Sequence, residues 1–333
     1  MPTMRAAVRD RYGPPAEVVE VVDLERPTPT GDQLLVRVHA ASVNRADLDG
    51  IQPKPSFIRL FLGVRRPRVR RLGTDVAGTV EAVGPDVRGF KPGDRVFADL
   101  FSAGQGSFAE YVAAPEQHFA RIPDGLSFTD AATLPHSAIL AVQGLRLRNG
   151  RTFQPGARVL IDGASGNVGP FAVQLAKIGG AHVTGVCRTD KVDFVRSLGA
   201  DEVIDYTSVD YASTGQRWDW ILAVDAHYPM LRLRRALTPD GVYVTEGGNT
   251  RSFFGSLIVG PLITLATSKW MGMVLWWKPF HRPDLERLTD LIAAGRLRPA
   301  IDRLLPLEQA AEALRIVDDG EATGKIVLSI VPD

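Results

Sequence analysis

The chain has 333 residues, 45% of them apolar, and carries 39 basic and 38 acidic side chains with a single cysteine. That length exceeds what one core ordinarily fills, so two domains are expected, and the balanced charge gives no overall pull toward nucleic acid. One cysteine excludes an internal disulfide and suits a reducing compartment. The charged start MPTMRAAVRDRYG lacks the apolar stretch of a signal peptide, so a cytoplasmic protein is expected.

Residues 1 to about 125 read as short strands. Segments 5–9, 18–23, 33–41, 75–83, 94–97 and 109–113 alternate or run apolar between Gly, Pro and Asp, and a Pro-Gly turn at 90–94 leads into one of them. The pattern is that of an all-β, barrel-like module. Within it Arg65, Arg66, Arg68, Arg70 and Arg71 place five arginines in seven residues. They read as a solvated loop or as a contact for RNA or an acidic partner. The balanced charge favours the loop, so no nucleic-acid partner is expected. A helix follows from about Thr129.

The second half is organised around segment 158–191. Residues 158–162 are the apolar run of a buried parallel strand. Gly163, Gly166 and Gly169 then let the backbone turn sharply and come close to something bulky and negative. Helical spacing starts at Val168 and continues through Phe171, Ala172, Leu175, Ala176 and Ile178, so the helix begins inside the turn and offers its free N–H groups to a pyrophosphate. A second strand at 181–186 makes this a dinucleotide-binding βαβ unit rather than a merely structural turn. Gly163, Ser165, Gly166, Asn167, Val168 and Gly169 form the expected cradle.

Sites for NAD place Asp or Glu at the end of that second strand. This chain has Cys187 and Arg188 there, followed by Thr189 and Lys191. A guanidinium, a hydroxyl and an ammonium favour a 2′-phosphate, hence NADPH; the other reading makes Arg188 and Lys191 plain surface charges. Asp190 reads as the cap of a helix over 191–198. Farther on, 220–224 reads as another strand. The apolar stretch 253–280 has its longest uncharged run at 252–268, which contains Gly255, Gly260 and Pro261. It falls short of the roughly 20 residues that span a bilayer. It reads as core, dimer interface or a wall over the substrate, with interfacial membrane contact as the other reading.

Six motifs, ASVNRADL (41–48), LGTDVAGTVEAVGPDVRGFKPGDRV (72–96), GSFAEYVAAP (106–115), GASGNVG (163–169), LGADEVIDY (198–206) and GKIVLSIV (324–331), are spread in order along the chain. Together they resemble the medium-chain dehydrogenase/reductase superfamily, and within it the zinc-free quinone oxidoreductase group. The resemblance implies an α/β Rossmann domain (126–265) and a chaperonin-10-like β-barrel catalytic domain (1–125 and 266–333). It implies Asn44 beside the nicotinamide, with Asp47 holding that loop together or moving a proton. It implies Tyr206 over the adenosine end, Asp225, Gly247, Gly248 and Lys325 among the cofactor contacts, and a homodimer paired through the strand near 241–246. Zinc-dependent relatives carry Cys where this chain has Asn44 and His where it has Thr74. With one cysteine and scattered histidines, no metal is expected.

Oxidising a simple alcohol wants a Lewis acid, whereas hydride delivery to an enone or quinone leaves a delocalised anion that hydrogen-bond donors can stabilise. The expected activity is therefore an NADPH-dependent, metal-free reduction of small-molecule quinones or α,β-unsaturated carbonyl compounds. The other readings are a catalytically weak NADPH-binding sensor, an RNA-binding relative and a zinc-free alcohol dehydrogenase. The chain departs from the family pattern at Asp225, Ala226, His227 and Tyr228, where a close backbone approach is usual, and at His136 in TLPHSAIL, a usually aliphatic place. Either histidine, if it faces the nicotinamide, is the proton-donor candidate.

Overall fold

The computed structural model describes residues 2–53 and 59–331. Strands β1 (Thr3–Arg9), β2 (Val19–Glu25), β3 (Gln33–Val43), β4 (Asp75–Val83), β5 (Arg95–Asp99), β6 (Tyr111–Pro115) and β7 (Phe119–Arg121) come first. Next come β8 (Arg158–Asp162), β9 (His182–Cys187), β10 (Glu202–Asp205), β11 (Trp218–Ala223), β12 (Leu237–Thr245) and β13 (Trp270–Met273). Two more, β14 (Ile301–Pro306) and β15 (Lys325–Ser329), end the series.

The chain divides into two compact units, one of residues 1–139, 279–294 and 301–333, the other of 140–278 and 295–300. The first junction lies beyond the boundary expected near 125 because the helix Phe128–Ala132 packs on β3, β4 and β5. The second lies beyond 265 because β13 pairs with β12 and so extends the sheet of its own unit.

In the first unit a seven-stranded sheet runs β14-β15-β3-β4-β5-β7, with β6 also on β3, and β1 and β2 form a separate ribbon. β3 is the hub. Its Leu34, Val36 and Val38 recur at the period of two that points side chains to one face, and they pack with Val76, Val96 and Phe119. Register then sets the chemistry. β4 against β5 puts Asp75 opposite Asp99, and β15 against β3 puts Ile326 opposite Val43, which carries Lys325 to Asn44.

In the second unit six parallel strands run β10-β9-β8-β11-β12-β13. Read within the unit this is the doubly wound order 3-2-1-4-5-6, whose reversal between β8 and β11 opens a crevice at the carboxyl ends of the strands. The strand expected at the sheet edge, 241–246, is instead flanked by β11 and β13; the edge on that side is β13. The stretch 253–280 folds as the helical turns Thr250–Phe254, Gly255–Val259 and Gly260–Ala266 before β13, and leaves Ile258, Leu262 and Leu265 exposed. Among the described residues no helix is long and apolar enough to cross a membrane.

Candidate active site

The polar centre of the first unit grows from the end of β3. Asn44 caps the helix Arg45–Ile51, and its main-chain N–H donates to Asp47 Oδ2 at 2.8 Å, closing a capping box. Asp47 is buried, and burial pushes its carboxyl up to about 7 despite that hydrogen bond. The Asn44 side chain is used on both sides. Its Nδ2 donates to Asp75 Oδ2 at 2.9 Å and to Thr74 Oγ1 at 3.2 Å. Its Oδ1 accepts from Lys325 Nζ at 2.5 Å and from Ser137 Oγ at 3.1 Å. The amide hydrogens of Asn44 are thus engaged within the protein.

Lys325, expected at the cofactor, is only 1% exposed and also donates to Ser137 Oγ at 3.0 Å. Its ammonium lies 3.9 Å from Asp75 Oδ2, which in turn accepts from Ser42 Oγ at 2.8 Å. Burial pulls the lysine below its ordinary pKa and pushes Asp75 above its own, and each charge partly restrains the other.

His136 sits in a π-helical turn, Leu134–Ala138, an uncommon feature that recurs at functional sites. Its Nδ1 is 3.0 Å from Asp99 Oδ2, and Asp99 Oδ1 accepts from the Phe101 N–H at 2.7 Å. Burial acts to lower the imidazole pKa, but the hydrogen bond and charge of Asp99, joined by Asp75, outweigh it and raise the pKa above its ordinary value. Asp75, Asp99 and His136 each bring one ligand atom within 4.8 Å of the others, the one such group among the described residues.

The second unit carries the remaining expected residues. A Cβ on Gly169 would stand 2.2 Å from Gly163 O, so the turn packs on its own backbone there. A Cβ on Gly166 would meet nothing nearer than 3.6 Å, so the protein's own packing does not explain that glycine. Ser165 and Val168 are buried in the turn, and Asn167 is half-buried. At the end of β8 Asp162 accepts from the Tyr211 hydroxyl at 2.9 Å, and burial pushes its carboxyl up to about 7.

Beyond β9 the Arg188 guanidinium grips Asp190 through two bonds of 2.7 and 2.9 Å. Asp190 therefore does not cap the following helix, Val192–Ser197; its carboxylate is occupied two residues upstream. Thr189 Oγ1 donates to Asp205 Oδ2 at 2.6 Å, and Lys191 is buried rather than a surface charge. Tyr206 is 51% exposed. Asp225 pairs with His227 Nε2 at 3.1 Å, and Gly248 takes a φ of +132° beside Ala226.

The expected residues thus gather as two sets, Asn44, Asp47, His136 and Lys325 in one unit and the glycine turn with its flanks in the other. The sequence reading missed Asp75, Asp99 and Ser137 as partners in the first set, and Asp162 and Tyr211 in the second. A signal was present for the carboxylates: a charged residue at the very end of an apolar strand, as in RVFAD and RVLID, needs a buried partner.

Comparison with known proteins bears on both sets. The family model described as alcohol dehydrogenase GroES-like domain matches residues 30–124, and that described as zinc-binding dehydrogenase matches 198–328. The chloroplastic quinone-oxidoreductase QR1 of Triphysaria versicolor is 34% identical over 332 residues, 98% of either chain. The mitochondrial NAD(P)H oxidoreductase RTN4IP1 of Mus musculus is 34% identical over 340 residues, 90% of this chain and 82% of that one. The solved quinone oxidoreductase from Coxiella burnetii superposes with a TM-score of 0.85 at 27% identity, covering 99% of this chain and all of the other.

Proposed function

Because the chain belongs to the medium-chain dehydrogenase/reductase superfamily, in its quinone oxidoreductase-like group, we propose that this nicotinamide-dependent oxidoreductase uses NADPH to reduce quinones or α,β-unsaturated carbonyl compounds without a metal. Bound NADPH supplies the hydride. The observation that carries the reading is the network about Asn44. Where zinc-dependent relatives place two ligands, Asn44 and Thr74 bond to each other at 3.2 Å, and Lys325 brings a fixed positive charge to Asn44 Oδ1. Of the two carboxylates grouped with His136, Asp99 has both oxygens taken, by His136 and the Phe101 N–H, and Asp75 has its Oδ2 taken by Ser42 and Asn44.

In this reading Gly163, Ser165, Gly166, Asn167, Val168 and Gly169 hold the pyrophosphate, and Arg188, Thr189 and Lys191 receive the 2′-phosphate. Tyr206, Asp225, Gly247 and Gly248 complete the dinucleotide site. Asn44, Asp47 and Lys325 keep the catalytic loop in place, and His136 is the proton donor. The buried Cys187 accords with a reducing, cytoplasmic setting. The exposed face of Ile258, Leu262 and Leu265 beside the β13 edge supports a homodimer. The test is NADPH oxidation by the purified chain, after exhaustive chelation, with a panel of quinones, enals and enones. Turnover that survives chelation supports the proposal. No turnover with any substrate refutes the substrate assignment, and turnover abolished by chelation and restored by zinc refutes the metal-free mechanism.

A further inference from the structure

Asp99 and His136 form a built unit rather than a chance contact. Asp99 closes β5, is 0% exposed, and has one oxygen fixed by the Phe101 N–H at 2.7 Å and the other by His136 Nδ1 at 3.0 Å. His136 is 8% exposed and is carried on the π-helical turn Leu134–Ala138. With Nδ1–H committed to Asp99, the tautomer and ring orientation are set, and the proton that the ring gives up is the one on Nε2.

The groups facing the ring favour its charged form. Asp99 acts through a hydrogen bond and charge, Asp75 from β4 through charge, and Asp47 from the helix Arg45–Ile51 interacts with it in the same sense; Lys325 from β15 opposes them. The helix Arg282–Ala293 also packs on this turn, and its buried Asp284 is engaged by His281 at 3.0 Å. The helix Phe128–Ala132 brings Asp130, which Ser127 holds.

The two substrate classes left open by the proposed function differ in their need for such an acid. Hydride addition to a quinone leaves charge on oxygen, where water protonates it without help. Hydride addition to a conjugated C=C–C=O unit leaves an enolate whose α-carbon is protonated slowly by water, so a placed acid speeds turnover by about a hundredfold to ten-thousandfold and fixes the face of attack.

We infer that His136, oriented by Asp99, is a catalytic acid for the α-carbon, and that the substrate class of this site is the α,β-unsaturated carbonyl rather than the quinone. As the β-carbon accepts the hydride of NADPH, the C=C electron pair moves toward the carbonyl to give the enolate. The Nε2–H bond of His136 then breaks, its electron pair stays on nitrogen, and the proton forms the new C–H bond at the α-carbon. The substrate is reduced to the saturated carbonyl compound, NADPH is oxidised to NADP⁺, and water returns a proton to Nε2. Asp99 does not touch the substrate; it is a positioning residue. The inference rests on the NADPH-dependent reductase reading above.

The experiment uses the full chain with NADPH, an α-methyl enal and a benzoquinone, in H2O and D2O. Wild type should give one α-configuration with a single deuterium from solvent at that carbon. His136→Gln should lower kcat for the enal by about a hundredfold, a loss at least tenfold greater than for the quinone, and should scramble the α-configuration. Asp99→Asn should move the alkaline fall of enal kcat/KM to lower pH, a change that a merely structural role would not produce. NADPH titration of each variant reports folding independently of turnover. Equal losses for both substrates, or an unchanged α-configuration in His136→Gln, overturn the dyad while leaving the reductase reading intact. Quinone turnover with no enal turnover overturns the substrate class, and no turnover of either removes the reductase reading and this inference together.

Discussion

Replacing Arg188 tests the cofactor proposal, and the structure sets the size of the effect. The guanidinium follows β9 directly and is 41% exposed on its side chain, with Nε and Nη2 both bonded to Asp190. A 2′-phosphate reaching this fork therefore competes with a carboxylate already there. Charge-assisted bonds of guanidinium to phosphate contribute about 1.5–3 kcal/mol, and exposure with the displaced Asp190 leaves the lower part of that range. Arg188→Ala should weaken NADPH by about tenfold and leave NADH within about twofold. Asp190→Asn should act in the opposite direction, because it removes both the competitor and a negative charge beside the phosphate: NADPH should tighten by about three- to tenfold. In the Arg188→Ala background the gain from Asp190→Asn should shrink, since the two residues act through one contact. Fluorescence titrations of both cofactors at fixed ionic strength measure all four proteins. Parallel changes in NADH and NADPH, or no gain from Asp190→Asn, refute the phosphate-pocket reasoning.

Three further outcomes follow from the geometry. Gly166→Ala should fold with a melting temperature near wild type yet bind both dinucleotides at least about tenfold more weakly, whereas Gly169→Ala, with its Cβ 2.2 Å from Gly163 O, should lose several degrees of melting temperature as well; calorimetry with titration separates the two. Asp162 ionises near 3.8 when unfolded and at about 7 when folded, so the unfolded chain binds fewer protons across that window and stability falls as pH rises through it. Asp162→Asn, which still accepts from Tyr211, should therefore exceed wild type in denaturant resistance at pH 8, by at most about 4 kcal/mol, and lose that advantage near pH 4. Lys325→Met should lower kcat by about tenfold or more while changing the NADPH dissociation constant by less than about threefold, because the ammonium holds Asn44 and Ser137; a large change in cofactor affinity with normal kcat would restore the cofactor-contact role.

Much of the fold was legible because its signals are local. Apolar runs between glycines and prolines located β4 and β8 to the residue, and the glycine turn announced itself by a strand before and a helix after. The sheet edge was misplaced for a physical reason. β13 is only Trp270–Met273, lies inside the apolar stretch 253–280, and carries no alternation that would separate a short buried strand from a helix. The junctions near 125 and 265 moved for the same reason: packing of Phe128–Ala132 on the first sheet and pairing of β13 in the second are tertiary facts without a local marker.

The acid network is harder to read, because its members meet through strand register rather than through sequence. Asn44 and Lys325 are 281 positions apart and touch because β15 runs antiparallel to β3 with Ile326 opposite Val43. Asp75 and Asp99 stand directly opposite one another across β4 and β5, both at 0% exposure. Like charges facing each other on a strand pair are destabilising, and burial adds to the penalty. A sequence selected for stability alone would replace one carboxylate by an apolar residue of similar size. The surrounding groups offset the repulsion instead: Ser42, Asn44 and Lys325 on Asp75, and His136 with the Phe101 N–H on Asp99. Each partner also fixes a polar group that an apolar core would not require, and one of them is the His136 imidazole. Local rules of strand composition fail here in favour of a specific charge arrangement, which is the pattern expected where chemistry rather than packing decided the residues.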